Sequence, residues 1–84
     1  MTSESEIRTK LRHFILTDLV RDPSFPLADD EGIISNGLID SFALAQIGVF
    51  AEQAFGVYIP DPDLTVAKMG TLNQMVARIV RGQA

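Results

Sequence analysis

Cysteine and tryptophan are both absent from this chain of 84 residues, and histidine and tyrosine occur once each. Without cysteine there is no disulfide framework and no thiolate metal site. Any thiol chemistry must come from an attached group. Long hydrophobic runs are lacking as well. No stretch approaches the roughly 18 to 20 apolar residues of a membrane span, and MTSESEIRTK has none of the apolar core a signal peptide needs, so a cytoplasmic protein is expected. Positive charge is missing from the whole middle of the chain. Residues 22–67 hold eight acids (Asp22, Asp29, Asp30, Glu31, Asp40, Glu52, Asp61, Asp63) and no base, a charge of −8, while seven bases and three acids leave the ends at +4. Such a field repels nucleic-acid phosphates and favours proteins with basic patches. The same charges also serve as a solvated surface.

What is present is a chain of 46% hydrophobic residues with a net charge of −4, enough for one small globular domain. At this size folding buries roughly 60 to 65% of the surface, which leaves room for a modest core but hardly for a deep catalytic pocket.

Four helices can be placed from caps and periodicity. Ser3 and Glu6 fit a capping box, and Ile7, Leu11, Phe14, Ile15 and Leu19 recur at helical spacing, so helix 1 is predicted over about 4–20, ending before Pro23 and Pro26. Residues 21–40 form a long connection with turn residues Gly32, Asn36 and Gly37, pinned by Phe25, Leu27, Ile33, Ile34 and Leu38. Helix 2 is predicted over about 41–55, with Asp40 as N-cap and Gly56 as its stop. Asp61 before Pro62 signals a short helix over about 62–68. Thr71 and Gln74 form another capping box at the head of helix 4, about 72–81, with Gly82 as its stop and Arg78 and Arg81 complementing the dipole. The fold class is all-α: a four-helix bundle with a long loop between helices 1 and 2 and a short helix 3.

Ser41 draws attention because it sits at the head of an almost uncharged helix. It is readable as an ordinary first-turn residue. As a hydrolase nucleophile it lacks the G-x-S-x-G elbow, and only His13 is available as a base. The acids at 29–31 and 61–63 do not fit a calcium loop. As a modification site it is well placed, because a phosphodiester on its oxygen would meet unpaired N–H groups and the positive end of the helix dipole.

The order of features resembles the acyl carrier protein family, which includes peptidyl and aminoacyl carriers. "GLIDSF" stands where the family has G-x-D-S-[LIMF], and "AEQAFGVYIPD" matches at Glu52, Phe55, Ile59, Pro60 and Asp61 the way members close helix 2 and enter helix 3. The resemblance covers nearly the whole chain. It implies a non-catalytic, monomeric, discrete carrier with 4′-phosphopantetheine on Ser41, installed from coenzyme A by a phosphopantetheinyl transferase. Asp40 would orient the transferase and its Mg²⁺–coenzyme A. Further partners would be a loading ligase or acyltransferase and a downstream synthase or transferase, with no nucleic acid.

Helical spacing puts Leu44, Ile47, Ala51, Ala54 and Phe55 on the core face of helix 2 and Phe42, Ala45, Gln46, Val49, Glu52 and Gln53 opposite, as the expected partner face. Bacterial fatty acid carriers line this helix with acids. Here Ala43, Gln46 and Gln53 are neutral at the matching positions, which points to a specialised polyketide, nonribosomal or aminoacyl pathway. Docking is expected to rest on Phe42, Ala45 and Val49, with steering by Asp29, Asp30, Glu31 and Asp40. The alternatives are a carrier of primary fatty acid synthesis and, from another class, an unmodified helical interaction module. Gly48, which costs about 1 kcal/mol relative to alanine inside a helix, is expected to make room for a bulky neighbour such as Phe50 or for the prosthetic arm.

Overall fold

The first helix starts where Ser3 accepts the Glu6 N–H at 3.2 Å in the computed structural model, which describes residues 2–83. Only half of the expected capping box forms, because the Glu6 carboxylate turns to Lys10 at 2.9 Å. Helix α1 spans Glu4–Phe14 and buries Ile7 and Leu11. The predicted single helix over 4–20 changes register at its end: Ile15–Val20 winds as a π-helix that buries Ile15 and Leu16. Thr17 bears on this change, since its hydroxyl donates to the His13 carbonyl at 2.7 Å and competes with the backbone ladder. Arg21 then turns left-handed at φ 62°, and the Asp22 N–H closes the end on the Leu16 carbonyl at 2.9 Å.

The long connection is ordered by what it touches. Leu27, Ile33 and Ile39 are buried in the core, with Phe25, Ile34 and Leu38 packed against it. Backbone bonds fasten it to the far side of the chain, with Ile33 N–H donating to Gly70 (3.0 Å) and Asn73 N–H to Asp29 (2.9 Å). Arg12 reaches both the Leu27 carbonyl and the Asp29 carboxylate, and Arg8 stands 3.3 Å from the same carboxylate.

Helix α2 spans Ala43–Phe55. Its end is closed by Gly56 at φ 70°, with Gly56 N–H on Glu52 (3.0 Å) and Val57 N–H on Ala51 (3.3 Å), a pattern that satisfies the last carbonyls. The predicted helix over 62–68 is replaced by two shorter pieces. Asp61–Asp63 makes a 3₁₀ turn, Leu64 leaves the helical region at φ −85°, ψ 65°, and Thr65 starts α3, Val66–Met69, by accepting the Lys68 N–H at 3.2 Å. The Asp-Pro signal thus starts a turn, and a second cap starts the helix. Helix α4 spans Leu72–Gly82 behind a complete Thr71–Gln74 capping box. Gly82, expected as the stop, lies inside α4, where a Cβ would come within 2.3 Å of Val57 Cγ1. Close packing on Val57 requires glycine there.

The architecture is an all-α bundle of four helices, with no strand among the described residues. Ile7, Leu11, Ile47, Leu72, Met75 and Ile79 have no exposed surface and bring α1, α2 and α4 together. Phe14 stacks on Phe50 with ring centroids 4.4 Å apart, and Phe50 meets Phe55 edge-on at 5.7 Å.

Candidate functional site

The head of α2 is built by the loop before it. Gly37 adopts φ 80°, Leu38 N–H returns to the Ile33 carbonyl at 3.0 Å, and buried Ile39 anchors the chain just ahead of Asp40 and Ser41. One Asp40 carboxylate oxygen accepts the Ala43 N–H at 3.1 Å, the capping role expected of it. The regular helix begins two residues later than predicted, at Ala43. Ala43, Leu44 and Ala45 N–H donate to the carbonyls of Asp40, Ser41 and Phe42 at 3.1, 3.2 and 3.2 Å, each three residues back, so Ser41 and Phe42 form a tighter opening turn. Both are exposed. Among the described residues the Ser41 hydroxyl makes no hydrogen bond, and the N–H groups of Ser41 and Phe42 reach no backbone acceptor.

The expected partner face stands together. Phe42, Ala45, Gln46, Val49, Glu52 and Gln53 are all exposed, with Phe42 at 83% and Val49 at 54%. The core face differs at two places. Ala54, expected inside, is exposed, and Ala43, read as a surface position, is buried beside Leu44. Gly48 makes room for Leu64 rather than for Phe50: a Cβ there would meet Leu64 Cδ1 at 3.3 Å. Asp29 is unavailable for steering, because Arg8 and Arg12 hold its carboxylate, whereas Asp30 and Asp40 are exposed.

Three features escaped the sequence reading. Tyr58 is 67% exposed between buried Val57 and Ile59, and with Ala45, Val49 and Glu52 it lines a groove along α2. Arg21 lines an open groove with Asp18, Gln46 and Asp40, brought there by its left-handed turn some twenty residues before Ser41. Asp63 receives Lys68 and Arg78, each at 3.0 Å, and their hydrogen bonds and charges hold its carboxyl below the ordinary aspartate value. His13, exposed on α1, lines a different groove with Phe14, Phe50 and Ala54, and Ser41 lines neither this groove nor that of Arg21. The structure does not bring His13 and Ser41 into one site.

No family model and no curated protein matches the sequence. A chain of a solved structure described as "Crystal structure of FAD-dependent dehydrogenase" is similar in fold, with TM-score 0.70 and 23% identity over 82% of this chain and 97% of that one. At that identity the likeness concerns the fold alone. No helix among the described residues is long and apolar enough to cross a membrane.

Proposed function

We propose that the protein is a carrier that presents an acyl or aminoacyl group, held as a thioester on 4′-phosphopantetheine attached to Ser41, to the enzymes of a specialised biosynthetic pathway. The observation that carries this reading is the exposed Ser41 hydroxyl in the opening turn of α2, with Asp40 capping the turn from behind. A phosphodiester on Ser41 Oγ fits this place. The uncommitted N–H groups of Ser41 and Phe42 and the positive end of α2 favour an anion by roughly 0.3 to 1 kcal/mol at an exposed helix end. The resemblance of "GLIDSF" and "AEQAFGVYIPD" to carrier proteins supports the same reading. The arm supplies the thiol that this cysteine-free chain lacks. The chain's own residues offer the hydroxyl, hold the turn open to an incoming transferase and present a docking face.

That face favours a specialised pathway over primary fatty acid synthesis. Phe42, Ala45 and Val49 are exposed apolar positions, and Glu52 is the one acid among the six face residues. A partner reading it meets shape and apolar surface first, with the exposed acids Asp30, Asp40 and Asp61 available for steering.

The test is incubation with coenzyme A and a promiscuous phosphopantetheinyl transferase, followed by the mass of the intact chain. The expected result is a gain of one phosphopantetheine unit that Ser41→Ala abolishes. An unchanged mass with a transferase proven competent on another carrier removes the carrier reading and leaves an unmodified helical interaction module.

A further inference from the structure

Gly48 leaves the middle of α2 bare, and Leu64 occupies the space. A Cβ at Gly48 would lie 3.3 Å from Leu64 Cδ1 and 3.4 Å from Cδ2, so the leucine rests on the helix backbone itself. The turn that carries it is fastened from two sides. Leu64 N–H donates to the Asp61 carbonyl at 3.0 Å, and Asp63 is held by Lys68 of α3 and Arg78 of α4, both at 3.0 Å. What Leu64 leaves open is a groove of about 200 Å³ between Ala45, Val49, Glu52, Tyr58, Ile59 and Asp61. That is the room of roughly seven water-sized groups, below the roughly 300 to 1,000 Å³ of pockets that enclose drug-sized ligands.

The groove lies within reach of Ser41. At about 1.5 Å of rise per residue, Gly48 is roughly 10 Å and Glu52 roughly 16 Å along the axis from Ser41. A phosphopantetheine arm, with about as many backbone bonds as five residues, extends to roughly 17 Å. Building on the carrier reading, we propose that Leu64 is a specificity-determining plug: seated on Gly48 and held by the Asp63 ion pairs, it limits the cargo that the protein can shelter to short acyl groups. A short chain fits the groove beside Leu64. Each further CH₂ stays in water unless Leu64 leaves Gly48, and leaving costs its packing and pulls on the turn that Lys68 and Arg78 hold.

The experiment uses the full chain, loaded at Ser41 by a promiscuous transferase from coenzyme A analogues bearing amide-linked acyl groups of two, four, eight and twelve carbons. The amide keeps the cargo in place on heating. Intact mass establishes loading first, so a chain that takes up no arm refutes the carrier reading at that step, whatever Leu64 does. Each loaded protein is then melted. The expected Tm rises by roughly 3 to 6 °C for each newly sheltered CH₂ up to about four carbons and levels off beyond. In Leu64→Ala the rise continues to eight carbons. Should that variant fail to fold, Leu64→Val moves the plateau in the same direction by less. A wild-type Tm that climbs through eight and twelve carbons as steeply as in the Leu64 variants overturns the proposal, and so does a Tm independent of chain length in both proteins.

Discussion

Helices α2 and α4 both start behind a small polar side chain, and the two starts dispose of their hydrogen-bonding groups in opposite ways. At α4 the Thr71 hydroxyl accepts the Gln74 N–H at 3.1 Å, while the Gln74 side-chain oxygen takes the N–H groups of Thr71 at 3.1 Å and Gly70 at 2.9 Å. The fold pairs the Thr71 hydroxyl and, with Asn73 N–H on the Asp29 carbonyl at 2.9 Å, four of the five N–H groups from Gly70 to Gln74. At α2 Asp40 takes the Ala43 N–H, and the Ser41 hydroxyl stands outside the network. A hydroxyl that the fold does not use can be given to chemistry without loss of stability. Alanine at Ser41 and at Thr71 separates the two helix starts. Ser41→Ala is expected to abolish uptake of phosphopantetheine and to change stability by less than about 0.5 kcal/mol. Thr71→Ala is expected to keep uptake and to lose about 1 kcal/mol, a Tm lower by roughly 4 to 8 °C for a domain of this size. Intact mass and thermal unfolding of both variants decide it, and equal stability losses would erase the distinction.

The contrast continues along α2, whose inner face holds the fold and whose outer face is free. Ile47 has no exposed surface, so Ile47→Ala is expected to cost about 2 to 5 kcal/mol. Phe42 and Val49, at 83% and 54% exposed, add little to stability. Serine at both outer positions removes the apolar contact without adding charge. Loading by the cognate enzyme is then expected to slow by tenfold or more, at roughly 1 to 2 kcal/mol for each docking residue, with Tm nearly unchanged. Unaltered kcat/KM in the folded double variant would remove the apolar docking face. Asp40 sharpens the picture further. Asn caps about as well as Asp, so Asp40→Asn is expected to keep stability within a few tenths of a kcal/mol while, on the carrier proposal, slowing modification, because the negative charge next to Ser41 is gone. Transferase kinetics and melting on the same sample separate the two effects.

Much of this organisation was legible in the sequence where the governing interaction is local. Thr71 with Gln74, Gly56 after Phe55, and Asp40 with Ala43 lie within a few residues of one another, and their chemistry decides the outcome. The six outer positions of α2 followed from the helical period, and the exposure of Ser41 from its place at the turn before the helix. The misses involve partners distant in the chain. The period of α2 alone cannot tell that Leu64 arrives at Gly48, nor where its buried stripe ends: Ala54, at core spacing, is exposed, and Ala43, a surface position by the family resemblance, is buried. Asp29 read as a steering acid because the Arg8 and Arg12 that hold it come from another helix. Arg21 carried no local signal, since its place on the groove that Asp40 also lines depends on a left-handed residue and on the folding of the intervening loop. The short third helix failed for a different reason: Asp61 and Pro62 did start a helical turn, but Thr65 offered a competing cap three residues later.

The smallest effect concerns the charges that tie down α4 and have no counterpart at the head of α2. Asp63 draws Lys68 and Arg78 onto one carboxylate, which lowers its pKa in the folded protein. A lowered folded-state value means that the unfolded chain takes up the proton more readily. Asp63 therefore adds stability that is complete above about pH 3.9, the ordinary aspartate value, and that is lost progressively as the pH falls below it toward the folded value. Lys68 is more than half exposed, so solvent screens its share and added salt weakens it further. The expected outcome is that Asp63→Asn lowers Tm slightly at neutral pH and flattens the acid limb of the Tm profile, while wild type and variant converge at the most acid pH. Convergence would assign that part of the acid sensitivity to the Asp61–Asp63 turn. A gap of constant size from pH 7 down to pH 2 would instead assign the effect of the substitution to packing, and the turn would then be held by Leu64 on Gly48 rather than by charge.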